Sequence, residues 1–176
     1  MIKIALWIGH NLAKWDKWAS WNNTTEFDTI NTIIVNVVNI GIPGFEVVKC
    51  PDKLWIAERN AWVNKQKDLK AYFEFHIDSA TPIATGCTTY FVWGNNWALG
   101  EAIQYHKEYT RITWLKSRGV HPDTDNRWGR LGAIRDNKIF SLLMELGFIS
   151  NPSDLKTIQT KWAEAIIAWI SKMFQS

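Results

Sequence analysis

His10 closes one strand-like run, Ile4-Ala5-Leu6-Trp7-Ile8-Gly9-His10, and His76 closes another, Ala71-Tyr72-Phe73-Glu74-Phe75-His76. In an α/β pattern the carboxyl ends of strands are where sites are built. Two imidazoles placed there, with Glu26 and Glu145 also available, read as a metal centre with a catalytic carboxylate. Glu26 falls in the first turn of the helix that follows the first strand. Such a helix begins near the carboxyl end of the strand before it, so Glu26 can reach His10. His76 and Glu145 share that edge if their strands run parallel to the first. His10, Glu26 and His76 plus a water would match catalytic zinc, which keeps three protein ligands and one open position. Zinc lowers the pKa of bound water to about 7, and a carboxylate not engaged with the metal would accept its proton. By elimination that group is Glu145, and its neighbours Leu142, Leu143, Met144 and Leu146 would raise its pKa.

Each of these residues also has a plainer reading. A lone His at a strand end is commonly a hydrogen-bonded surface or core residue. Glu26 alone is a first-turn acid favoured by the helix dipole, and Glu145 alone could be an ion-pair partner.

The elements that must position these groups can be read from hydropathy patterning. Ile2–Ile8 is β-rich, and a Trp-studded polar loop spans 9–24. Phe27, Ile30, Ile33, Ile34, Val37 and Val38 recur at helical spacing up to about Ile40, with Thr24 or Thr25 as N-cap. Gly41-Ile42-Pro43-Gly44 ends that helix and Phe45–Lys49 is a short strand. Pro51 should open a second helix, to about Lys67. Strands are expected over 71–76, 87–93, 131–134 and 139–145, a long helix over 96–116, and a loop over 118–128. One or two helical turns over 152–158 and a terminal helix over 160–174 complete the chain. Alternating strands and helices predict an α/β fold, a three-layer αβα sandwich around a mostly parallel or mixed twisted sheet of about six strands. No repeat, low-complexity tract or linker divides the chain, so 1–176 reads as a single catalytic domain.

Composition is that of a soluble globular protein: 47% hydrophobic, 21% charged, with 12 Trp as the outlier. A net charge of +3 and the lack of a dense basic run argue against nucleic acid. Cys50 and Cys87 are too few for a disulfide framework and read as buried thiols. Cys87 follows a loop too short for a parallel crossover from His76, so those strands should be antiparallel or the loop should climb the edge, and Cys87 could lie near the metal. The N-terminus lacks the features of a signal peptide, and no apolar run approaches the roughly 20 residues of a membrane helix. Synthesis in the cytoplasm, no membrane insertion and a monomer are expected.

Other side chains invite two readings each. Trp15, Trp18 and Trp21 could wall a substrate cleft or pack on the core. His106 reads as a solvated helix residue. His121 could contact substrate or stabilise a turn. Asp123-Thr124-Asp125-Asn126 lacks the Gly and distant Glu of a calcium loop and reads as a turn. Arg135 could hold a peptide carboxylate or be a surface arginine.

The chain resembles the zinc-dependent N-acetylmuramoyl-L-alanine amidases of the type-3 family, which include many phage endolysins. The resemblance rests on Gly9-His10, on Glu26, on Arg59 and Asn64 followed by Phe73-Glu74-Phe75-His76, and on Glu145-Leu146-Gly147-Phe148-Ile149-Ser150-Asn151, close to the family's Glu-x-Gly-Phe-Ile-Ser-Asn signature. It implies that His10, Glu26 and His76 bind Zn2+ and that Glu145 is the catalytic acid/base. The substrate would be bacterial peptidoglycan, cut between N-acetylmuramic acid and L-alanine, with release through a phage holin. Asn11, Asp78-Ser79-Ala80 and the Trp-rich loop depart from the family pattern. These departures bear on substrate contacts rather than on ligands. A zinc peptidase of the stem peptide and a non-catalytic wall-binding module are the rival readings.

Overall fold

The computed structural model describes residues 1–10 and 19–173. A six-stranded sheet forms its centre, built from β1 (Ile2–Ile8), β4 (Phe45–Lys49), β5 (Leu69–Asp78), β6 (Cys87–Phe91), β7 (Ser117–Pro122) and β8 (Phe140–Phe148) in the order β4-β1-β5-β8-β6-β7. A separate hairpin pairs β2 (Ser20–Trp21) with β3 (Thr24–Thr25), turning through Asn22 and Asn23 at positive φ. β4, β1, β5 and β8 run parallel. β6 opposes β8 and so runs opposite to β5, while β7 is parallel to β6.

Helices cover both faces. Helix α1 (Glu26–Ile40) starts where the Thr25 hydroxyl accepts the Asp28 N–H at 3.0 Å. It ends at Gly41, whose φ of +75° suits a residue without Cβ. Helix α3 (Asn96–Thr113) and helix α5 (Pro152–Ile170) lie on the same side. Their apolar stripes bury Phe73, Phe75, Met144, Trp162 and Trp169 in the main core. Helix α2 (Ile56–Lys65) and the single turn α4 (Gly132–Arg135) lie on the other side. There Ala5, Trp7, Cys50, Val63, Leu69 and Tyr72 form a smaller core. The expected three-layer sandwich with a mixed, mostly parallel sheet is therefore found.

Several boundaries differ from expectation. Pro51 precedes a turn, and α2 begins only at Ile56, where Glu58 reaches back to the Trp55 N–H at 3.0 Å. Residues 117–122 are the edge strand β7 rather than a loop, because an edge strand bonded on one side can stay polar and hide from an apolar pattern. Residues 132–135 form a helical turn instead of a strand, too short to show any period. Residues 152–170 form one unbroken helix, capped by Asn151 through the Ser153 and Asp154 N–H groups.

Candidate metal centre and cleft

β1 and β5 are adjacent and parallel, so their carboxyl ends open on one edge. His10 lies just past the end of β1, and His76 sits within β5, which continues to Asp78. Glu26 opens α1 and is 1% exposed. Backbone donors fix its carboxylate: the Ala19 N–H to Oε2 at 3.1 Å and the Ile77 N–H to Oε1 at 2.9 Å. His10 Nε2 stands 3.4 Å from Glu26 Oε2, and His76 Nδ1 stands 3.2 Å from Glu26 Oε1. The two rings meet edge to face with centroids 5.1 Å apart.

One ligand atom from each of His10, Glu26 and His76 lies within 4.8 Å of the others. Zn–N and Zn–O bonds of about 2.0–2.1 Å would separate tetrahedral ligand atoms by about 3.3 Å. The His10–Glu26 and His76–Glu26 contacts, 3.4 Å to Oε2 and 3.2 Å to Oε1, are near that length, each to a different carboxylate oxygen. The donor set, two imidazoles and a carboxylate, suits zinc.

Charges are tightly coupled. Burial would raise the Glu26 pKa, but the His76 hydrogen bond, the His76 and His10 charges and the Ile77 N–H outweigh it and hold the group below the usual range. Burial would lower His76, yet hydrogen bonds to Glu26 and Glu74 and the charge of Glu145 raise it well above an ordinary histidine. Glu145 pairs with His76 in the β5–β8 register. Burial pushes its carboxyl up to about 8, with His76 pulling down and Asp78 and Glu26 pushing up. Its Oε2 is buried and finds no hydrogen-bond partner among the described residues. Glu145 lies within β8 rather than at its end, since the strand continues to Phe148.

The site opens into a cleft of about 420 Å3 whose lining includes Gly9, His10, His76, Trp55, Trp128 and Leu131. The loop carrying its far wall is tied down from α2. Asn60 donates to the Gly132 carbonyl at 2.8 Å, and Asn64 donates to the Asp136 carbonyl at 3.0 Å while accepting from the Lys138 N–H at 2.7 Å.

Two residues were not predicted as part of the site in these roles. Glu74, on the same face of β5 as His76, accepts from Tyr72 and contacts His76 Nε2 at 3.1 Å. Arg59, 1% exposed, backs Glu74 at 3.5 Å. A carboxylate in the middle of a buried strand is the signal that could have found Glu74. Trp55 and Trp128 carried no pattern in sequence.

Of the remaining side chains, some depart from expectation and others match it. His106 is buried rather than solvated, bridging Thr89 and Ser117. Arg135 is partly exposed, pairs with the fully buried Asp123 and lies outside the cleft lining, so its guanidinium is tied to the protein itself. His121 is absent from the cleft lining and holds a turn through Asp125 and the Arg118 carbonyl. Cys87 is a buried thiol near the Lys116 carbonyl, and Cys50 is likewise free and buried. Trp21 packs on the main core, whereas Trp15 and Trp18 lie outside the described residues.

Residues 18–173 match the model of a protein family described as N-acetylmuramoyl-L-alanine amidase. Solved structures share the fold. The catalytic domain of CwlV, an N-acetylmuramoyl-L-alanine amidase from Bacillus (Paenibacillus) polymyxa var. colistinus, is 22% identical with a TM-score of 0.81, covering 98% of this chain and 97% of that one. An N-acetylmuramoyl-L-alanine amidase from Clostridium difficile 630 is 17% identical, with a TM-score of 0.82 and coverage of 99% and 97%. The catalytic domain of the CD27L endolysin, which targets Clostridia difficile, is 19% identical, with a TM-score of 0.75 and coverage of 98% and 96%. No curated protein is similar enough to count as a match.

Proposed function

Since the chain belongs to the N-acetylmuramoyl-L-alanine amidase family, we propose that it is a zinc-dependent hydrolase in which His10, Glu26 and His76 hold the ion and Glu145 moves the proton. The observation that carries this reading is the convergence of those three donor groups on one point, with Glu145 paired to His76 beside them. A bound zinc would supply Lewis-acid polarisation of the scissile carbonyl and a water acidic enough to attack at neutral pH.

The chain's own groups do the rest. Glu26, anchored by the Ala19 and Ile77 N–H groups, keeps its carboxylate aimed at both imidazoles. Glu145 has a carboxylate oxygen with no competing partner among the described residues and an elevated pKa. It takes the proton of the attacking water and delivers it to the departing alanine amine as the carbon–nitrogen bond breaks. The cleft beside His10 and His76 receives the polymer, with Trp55 and Trp128 offering flat apolar faces.

Family membership favours the bond between N-acetylmuramic acid and L-alanine over one within the stem peptide. Digestion of purified peptidoglycan tests it: new N-terminal alanine without new reducing ends is expected, and termini at any other residue would defeat the assignment. Chelation should abolish the digestion and zinc should restore it. We place the enzyme in phage lysis, with passage through a holin. The fold's occurrence in the CD27L endolysin supports that setting. Co-expression with a holin should then lyse the host, and expression of the enzyme alone should not.

A further inference from the structure

Building on the zinc reading above, we infer that Glu74 is a positioning residue that binds His76 Nε2–H and so presents His76 Nδ1 to the metal. Glu74 stands two residues before His76 on β5, in register with Trp7 on one side and Leu143 on the other. It is 1% exposed, in the centre of the sheet. A carboxylate buried there is tolerated only with strong partners.

It has three. The Tyr72 hydroxyl donates to Oε2 at 2.7 Å, His76 Nε2 lies 3.1 Å from Oε1, and the Arg59 guanidinium lies 3.5 Å from Oε1. Arg59 is itself pinned, stacked 5.1 Å over the Trp7 ring and directed at the Gly9 carbonyl at 3.3 Å. The carboxylate therefore cannot swing away from the imidazole.

The two nitrogens of His76 face different carboxylates. Nδ1 looks toward Glu26, which also meets His10 Nε2. Nε2 looks away from that meeting point, toward a carboxylate already committed to Arg59. Nδ1 is thus the nitrogen that faces the other two proposed ligands. A carboxylate behind a metal-bound imidazole fixes its tautomer and orientation and strengthens it as a ligand. If Glu74 only neutralised Arg59, its loss would change stability and leave metal affinity alone.

The test uses the metal-stripped full chain. Zinc titration against a chromophoric chelator should show Glu74→Gln binding about 10- to 100-fold more weakly than wild type, with a shifted cobalt absorption spectrum. Long-range 1H–15N spectra of the zinc-loaded wild type should show His76 protonated at Nε2 and coordinated at Nδ1. Unchanged zinc affinity in a folded Glu74→Gln protein, or coordination through Nε2, would overturn the role of Glu74 and leave the metal site standing. Absence of zinc binding by the wild type would instead overturn the metal reading and this inference with it. Should Glu74→Gln not fold, the wild-type spectra decide alone.

Discussion

The imidazole of His76 rests directly on the backbone of Gly9: a Cβ at position 9 would fall 1.7 Å from its Cε1 and 1.9 Å from its Nε2. The backbone cannot retreat, because the Gly9 N–H donates to the Phe75 carbonyl at 2.8 Å, locking the end of β1 to β5. Glycine is required here by a close approach of side chain to main chain, not by an unusual φ.

Gly9→Ala should therefore push the His76 ring off its seat. Overpacking of this kind costs about 1–3 kcal/mol, a loss that a thermal melt would register. The larger effect should be on the site, because one proposed ligand is displaced while its chemistry is intact. Zinc content after dialysis should fall well below one per chain, and peptidoglycan hydrolysis should drop with it. A Gly9→Ala protein with full zinc occupancy would show that the ring has another productive position.

Glu145→Gln preserves size and removes the proton acceptor. A positioned general base is worth about 10²- to 10⁴-fold, so the rate on purified cell walls should fall by that factor while zinc content and melting temperature stay near wild type. Hydrolysis within a few-fold of wild type would remove Glu145 from the chemistry.

The meeting of His10, Glu26 and His76 was legible in sequence for a physical reason. Parallel strands put their carboxyl ends on one edge, and the helix after β1 must begin near that edge, so strand-end and helix-start residues meet without any knowledge of side-chain packing. The main-core residues Phe27, Ile30, Ile33, Ile34 and Val37 were legible because α1 buries one stripe. What escaped depends on partners distant in sequence. Among the described residues β7 pairs in the sheet with β6 alone and carries polar residues, so no pattern announces it. His106 looks like any residue on a charged helix until Thr89 and Ser117 arrive on either side of it. Arg135 looks exposed until Asp123, twelve residues earlier, is found buried beneath it.

Trp128 is 71% exposed on the cleft rim, with the Arg127 guanidinium 4.6 Å from its ring. An aromatic face held this way stabilises a flat ligand surface by about 0.5–1.5 kcal/mol. Trp128→Ala should raise KM for a soluble muropeptide about 2- to 10-fold, by that same energy, with kcat and melting temperature little changed. Trp55, 50% exposed on the same cleft, should behave alike. A fall in stability with KM unaltered would return both residues to a structural role.

His106 should set a pH dependence of stability that is separate from the candidate metal centre. Its Nδ1 lies 3.1 Å from the Thr89 hydroxyl and its Nε2 lies 2.7 Å from the Ser117 hydroxyl, joining α3 to β6 and β7. Hydroxyls can serve a neutral imidazole as donor on one side and acceptor on the other. Burial, with a smaller push from the charge of His121, holds the pKa below its ordinary 6.5. The unfolded chain therefore takes up this proton at a higher pH than the folded one. The stability contribution is complete above about 6.5 and is lost as pH falls from there toward the lower folded value. Below that value both states carry the proton and the loss stops growing. His121 works in the opposite direction, since contacts with the Arg118 carbonyl and Asp125 raise its pKa, so the absolute curve mixes several groups. The difference between wild type and His106→Gln isolates the one of interest. Denaturant unfolding across pH 4.5–7.5, about two units below to one above the ordinary histidine value, should show wild type losing more stability on acidification than the variant. Parallel curves would mean that His106 titrates alike in folded and unfolded chains, and the buried bridge would then carry no proton linkage.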